Sequence, residues 1–501
     1  MNGIVLSVSR SIARVTGAAL GPYQTAVVRI GFAATWLLFL LRELPHRHEL
    51  YGPDGPWGHD LAEQLIADNG AFTVLMWSDG RAWFEIVYAV AVLSSVLLLL
   101  GWRTRTMSVL FMVGVLSLQN RSVFMGDGGD NVVHLMSIYL VLTRCGQVWS
   151  LDARRARRAA AARARGERVV DRVGPVLWSA LGFGLVAVTS AGLLDGDWFV
   201  PALLWAVWVS LGLWWVVGRG PEGGQPRILL DVVTHVVHNG ALVVIMAEAC
   251  LIYATAGWYK IQGSRWQDGT AVYYPLNLDY FTPWPALSDA LAANGTMIML
   301  ITYGTVAVQV AFPFTLFNRR VKNVLLAVMM TEHAVIAVTL GLPFFSLAMI
   351  AADAVFLPTS FLRRLGDWAA RARGRLLRRV PSRLFAGTAD GHGAGRTTTP
   401  PLPGPRTREG ERATGAGAGA EAGAGAGAGI GAEAEAGAGT VAGTGAEAEV
   451  EAGAGTGADA GAGAGTGTGT GADAEAGAGS GPGAGVGDRK GPGPTHVGFR
   501  T

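Results

Sequence analysis

Lys260 is one of three lysines in a chain that carries 37 arginines. It ends a distinctive passage. A long apolar run, Ile228 to Ala256, leads into Gly257, then aromatic Trp258 and Tyr259, then the amine. Two chemistries are open to such a lysine. At the edge of a bilayer its ammonium snorkels into the headgroups as an anchor. Held in an apolar pocket, the neutral amine can act as a base. The residues that follow fit either role. Tyr259, Arg265, Trp266, Asp268, Tyr273 and Tyr274 could bind a substrate. They could equally form an interfacial aromatic belt, with Arg265 and Asp268 pairing with each other or with headgroups.

Other ionisable groups sit inside apolar runs, where each costs a few kcal/mol and is a functional candidate by default. Glu332 and His333 lie midway along one such run. The histidine there could shuttle protons or bind a quinol oxygen, or simply bond across to a neighbouring helix. His134 lies one turn into a helix that starts at GDGGDN, Gly126 to Asn131, where Asp130 or Asn131 can cap. Asp231, His235 and His238 share a helix face, as metal ligands or as a polar stripe. Arg29 and Glu85 could pair between the first two spans, and Glu248 and Asp353 complete the set.

The elements that must position these groups are membrane spans. Half of the 501 residues are hydrophobic despite a very polar tail, which means many apolar helices of about 20 residues each. Ten segments qualify: Thr25–Leu41, Ala82–Leu100, Thr106–Leu118, Val132–Thr143, Pro175–Leu194, Phe199–Val217, Ile228–Ala256, Thr296–Phe317, Val321–Leu340 and Pro343–Leu357. The expected fold is therefore an all-α, polytopic helical bundle of about ten spans. Arg10 and Arg14 precede a run with no small-residue cleavage pattern, so the first apolar segment should stay as a helix. A net charge of +3 leaves no nucleic-acid footprint. Two cysteines without CxxC spacing read as free buried thiols.

Arginine-rich loops set the orientation. The heaviest, Arg154 to Arg172, is placed in the cytoplasm. Arg103, Arg105, Arg219, Arg227, Arg319, Arg320, Lys322 and both termini then fall on the same side, and the Lys260 stretch falls outside. Residues 362–385 read as a basic amphipathic segment on the inner leaflet. Residues 386–501, largely Gly-Ala repeats, have no apolar face to offset ordering entropy and should be disordered.

The pattern AG-x-x-K…W-x-x-G, Ala256 to Gly269, resembles the vitamin K-dependent gamma-carboxylase family and its bacterial HTTM (horizontally transferred transmembrane domain) relatives. RHELYGPDGPW at Arg47 to Trp57, WSLDAR at Trp149 to Arg154 and GLPFFSLAMIAADAVFLP at Gly341 to Pro358 are further likenesses. Together they define an HTTM-like domain over residues 1–361. The resemblance implies that Lys260 is the base that deprotonates a quinol, menaquinol or vitamin K-like. By their positions His333 or His134 would assist it, and Tyr259, Trp266, Arg265 and Glu332 would meet the substrate. It also implies chemistry facing outward from a plasma membrane.

The chain departs from the family in three ways. A Trp-rich helical hairpin, residues 173–220, interrupts the resemblance. Gln309 in QVAFPF stands where the family has a glutamate. The Gly-Ala tail occupies the place of a large lumenal domain, so peptide carboxylation would need a separate soluble partner. A non-enzymatic transporter, maturation or immunity factor, or scaffold is the alternative. The topology is testable by cysteine labelling in intact cells. Positions 158 and 320 should be protected and positions 57 and 268 labelled; a protected position 268 would overturn the orientation.

Overall fold

The structure, a computed structural model, describes residues 2–194, 198–220 and 223–379. The expectation of a disordered tail falls on residues outside these. All regular elements among the described residues are helical. A first helix, α1 (Asn2–Gly17), precedes α2 (Pro22–Glu43). Two short helices, α3 (Arg47–Tyr51) and α4 (His59–Asn69), fill the loop before α5 (Arg81–Leu100), α6 (Thr104–Arg121) and α7 (Gly128–Leu142). The arginine-rich run forms α8 (Leu151–Ala164), followed by the hairpin α9 (Val173–Ser190) and α10 (Phe199–Val217). Then come α11 (Gln225–Gln262), the short α12 (Ser264–Gln267) and α13 (Pro285–Ala292), α14 (Gly295–Ala311), α15 (Arg319–Thr339), α16 (Pro343–Asp353) and α17 (Thr359–Arg379).

Each of the ten apolar segments lies largely within a helix. By length and apolar composition six helices are able to cross a membrane, or eight if the bent pairs α13–α14 and α16–α17 each form one span. The third and fourth segments fall short of that criterion. α6 carries polar residues at both ends, and α7 has 15 residues against the roughly 20 a span needs. Both pack against each other within the bundle, where a short helix need not meet lipid on every side.

α2 lies at the centre, against α5, α7 and α16. Its Phe32, Trp36 and Leu40 join Tyr88 and Leu98 of α5, Phe111 of α6 and Met136 of α7 in one apolar core. Small residues let these helices approach closely, as is usual where lipid gives no hydrophobic drive for association. A methyl group added at Gly31 would stand 2.5 Å from Ala351 Cβ of α16.

Polar side chains inside the bundle serve backbone that would otherwise be unpaired. Arg29 is fully buried and is not the partner of Glu85. Its guanidinium donates to the carbonyls of Leu98 and Leu99 at the end of α5, of Cys145 and of Trp149. Asp152, in the WSLDAR stretch, accepts from the backbone N–H groups of Arg103 and Thr104 at 2.9 and 2.8 Å and so caps α6. Glu85 instead meets Arg47 and His48, both at 2.7 Å. It thereby fixes the long loop to the top of α5.

The hairpin α9–α10 is closed by a reciprocal clasp. The indoles of Trp178 and Trp208 stack at 4.1 Å. Each indole N–H donates to the other tryptophan's carbonyl, at 2.9 and 3.0 Å. Each ring also covers the glycine four residues beyond its partner, Gly212 and Gly182 respectively. Helix α17 turns 116° from the preceding segment. It is held by Gln24, which donates to Leu357 O and Thr359 Oγ1, each at 2.9 Å. Its Phe361, Leu365 and Trp368, on one face, are exposed.

Candidate functional site

Helix α11 continues without a break through Lys260. Tyr253 and Lys260 therefore share a face, two turns and about 10 Å apart along the axis. Between them Gly257 lies against Val310 of α14, where an added methyl would come within 2.7 Å of a Val310 methyl. That close approach brings Lys260 within reach of α14. Lys260 Nζ donates to Gln309 Oε1 at 2.9 Å, and Gln309 Nε2 donates to Glu332 Oε1 of α15 at 3.1 Å. The amide thus faces the amine with its acceptor and the carboxylate with its donor. Gln309 is buried, while Lys260 and Glu332 are half-buried. The ring of Trp266 lies 5.2 Å from the amine, within cation–π range.

A second polar cluster adjoins the first through the peptide between Glu332 and His333. Tyr253 donates its hydroxyl to Asp353 Oδ1 of α16 at 2.9 Å, and His333 Nε2 lies 3.1 Å from the same hydroxyl. A phenol has one proton, so in this arrangement His333 Nε2–H donates and Nδ1 is left as a bare acceptor. All three residues are buried. Two of their atoms, His333 Nδ1 and Asp353 Oδ2, have no hydrogen-bond partner, and neither has Ser346 Oγ, two turns before Asp353 on α16. Buried polar atoms are nearly always satisfied, so these are places for a water or a ligand group. Phe345 stands edge-on to His333 at 5.6 Å, and Phe312 to Tyr253 at 5.8 Å.

The structure thus brings together Lys260, Trp266, Glu332, His333 and Asp353 from the sequence candidates, and adds Gln309 and Tyr253. Tyr253 carried a signal that sequence reading passed over: it lies seven residues before Lys260, on the same face. The other candidates sit elsewhere. His134 Nδ1 is 3.0 Å from Gln119 Oε1 of α6, a helix–helix bond. The α7 cap is Asp127, completed by Asp130, in place of Asp130 or Asn131 as the cap itself. Tyr259 is half exposed. Arg265 lies over Tyr274 at 4.7 Å, and Asp268 bonds Thr270, so these two charges do not pair.

The Asp231–His235–His238 face is a tether for α1. His235 Nδ1 lies 2.9 Å from Thr16 O. His238 Nδ1 accepts from Arg144 N–H at 2.8 Å, so its Nε2–H donates to Leu20 O, also at 2.8 Å. Asn239 bonds Val15 O, Ala18 O and Leu20 N. Asp231 meets Arg144 at 3.6 Å. No group of metal-ligating side chains occurs among the described residues.

Comparison with protein-family models, with curated proteins and with solved structures gives no match.

The Tyr253 cluster yields a stability prediction. Tyr253→Phe removes one oxygen and leaves His333 Nε2 and Asp353 Oδ1 without partners, a cost of about 1–3 kcal/mol. Thermal unfolding of detergent-solubilised protein should show a clear drop in midpoint. An unchanged midpoint would mean that the hydroxyl does not bridge them.

Proposed function

We propose that the chain is a plasma-membrane protein of the HTTM type with ten spans and both termini cytoplasmic. In this reading it carries quinol-linked proton chemistry at an outward-facing site, with Lys260 as base. The observation that carries this reading is where the amine goes. An anchor would extend toward headgroups; the Lys260 amine turns onto Gln309 of α14, one hydrogen bond from Glu332. The exposed apolar stripe of α17, on a helix rich in arginine, supports placing that segment on a membrane surface.

The residues fit a quinol. Lys260 and Trp266 would hold its reactive edge, and the bare Nδ1 of His333 and the unpaired Oδ2 of Asp353 offer further hydrogen-bonding positions among aromatic rings. When bound, a quinol supplies an ionisable hydroxyl and two electrons. The chain's own groups have distinct tasks. Gln309 orients the amine. Lys260 accepts a proton, and the charge that results is balanced by the Glu332 carboxylate through the amide. His333, backed by Tyr253 and Asp353, is a second acceptor. A separate soluble partner would handle any peptide substrate. His134, held by Gln119, has no task in this scheme.

The non-enzymatic alternative, a transporter, maturation or immunity factor, or scaffold, draws on one observation: Gln309 satisfies both Lys260 and Glu332, as an interhelical clamp would. Lys260→Arg separates the two readings. Arginine keeps the charge and the hydrogen bond but does not lose its proton. The variant should insert and fold normally, yet lose about 100-fold or more of activity, the scale of general-base catalysis. Complementation of a deletion phenotype checks this, together with binding of a menaquinol analogue to purified protein. Full complementation by Lys260→Arg would remove the base role, and failure of the variant to insert would make the lysine structural.

A further inference from the structure

At the end of α11 opposite Lys260, the termini of α6, α9, α10 and α11 and the flank of α8 border an open cavity of about 1260 Å³. Eight arginines and two aspartates line it. Both aspartates are already engaged. Asp152 caps α6 and meets Arg155 at 3.2 Å. Asp171 accepts from both terminal nitrogens of Arg103, which pushes its carboxyl down to about 2 and keeps it ionised at neutral pH. With eight arginines against these two carboxylates, the lining is strongly positive.

Three of its guanidiniums are arranged in an unusual way. Arg105 lies 3.4 Å from the ring centre of Trp214 and has no ion pair or hydrogen bond of its side chain among the described residues. Arg144 lies 5.3 Å from the same ring. Its buried Nη1 makes no hydrogen bond, and the nearest carboxylate oxygen, on Asp231, is 3.6 Å away. Arg219 lies 3.6 Å from the ring centre of Trp215. An arginine stacked on an indole uses its face and leaves its N–H edge for an oxyanion. Two like charges sharing one ring also repel each other, and an anion between them relieves that repulsion.

We propose that this cavity binds a phosphate-bearing anion, clasped by Arg105, Arg144 and Arg219. Trp214, Trp215 and Arg219 all belong to α10 or the turn that follows it, so the inserted hairpin completes the site and thereby has a function of its own. The anion is the headgroup of an anionic phospholipid or a soluble phosphate. The cavity lies at the ends of apolar helices, the level at which basic pockets meet headgroups.

The test is the thermal unfolding midpoint of purified full-length protein in detergent. It is titrated separately with dioctanoyl phosphatidylglycerol, dioctanoyl phosphatidylcholine and inorganic phosphate. A saturable rise is expected with phosphatidylglycerol or with phosphate, and not with the zwitterionic lipid. A rise with phosphatidylglycerol alone identifies a lipid site; a comparable rise with inorganic phosphate identifies a soluble ligand.

In Arg105→Gln/Arg144→Gln the half-saturation should weaken on the order of tenfold or more. In Arg154→Gln/Arg158→Gln, which removes the same charge from the exposed side of α8 outside this cavity, it should not change. If the first double variant does not fold, Arg219→Gln replaces it, with a smaller loss expected. No saturable response in the wild type, or equal weakening in both double variants, overturns the proposal.

Discussion

Inside hydrocarbon a polar group has only the protein to bond to, and an unpaired one costs several kcal/mol. The polar side chains of this bundle are organised by that constraint. Arg29 is the plainest case: a fully buried cation spent on four carbonyls, where α5 ends and the chain returns toward α8. Gln309 does the same across two helix interfaces. Its amide accepts from Lys260 and donates to Glu332, so that neither is left without a partner. Against this background the few unpaired atoms stand out, and His333 Nδ1 and Asp353 Oδ2 belong to two residues that share the Tyr253 hydroxyl.

Helix α11 connects the two regions of interest. At about 57 Å for 38 residues it is far longer than the hydrocarbon it crosses. Its surplus length is used at both ends. One end carries His235, His238 and Asn239, which hold the C-terminal end of α1 and the turn after it, and it borders the arginine cavity. The other end carries Lys260 beyond Gly257, whose lack of a side chain lets α14 approach. The hairpin α9–α10 sits beside the first end and is tied internally by its tryptophan clasp. Few of its residues are buried. It therefore makes little demand on the packing at the Lys260 end of α11.

The helical class and the positions of all ten apolar segments were legible in the sequence, because a run of apolar residues bounded by arginine loops has few other physical solutions. That Lys260, Glu332 and His333 must find polar partners was also legible, since an ionisable group in such a run is costly unpaired. Their partners were not. Nothing in the spacing of Gln309 ties it to residues 49 positions earlier and 23 later; only the packing of α14 between them does. Arg29 and Glu85 looked like a pair because both lie in adjacent spans. The structure separates them because helix-end carbonyls near Arg29 and the Arg47–His48 loop near Glu85 are nearer partners. Helix α1 was missed because its 16 residues are fewer than a span needs and Arg10 and Arg14 interrupt its apolar run.

The central claim is that Lys260 is coupled to Glu332 inside the bundle through Gln309. A double-mutant cycle on thermal or denaturant unfolding tests it most directly, with Lys260→Met, Glu332→Met and the pair. Removing one partner leaves the other half-buried and uncompensated, while removing both leaves apolar groups of similar size. The double variant should therefore be more stable than the sum of the single losses implies, by about 1 kcal/mol or more. Strict additivity would show that the two charges do not feel each other, and the lysine would then be an anchor at the membrane edge.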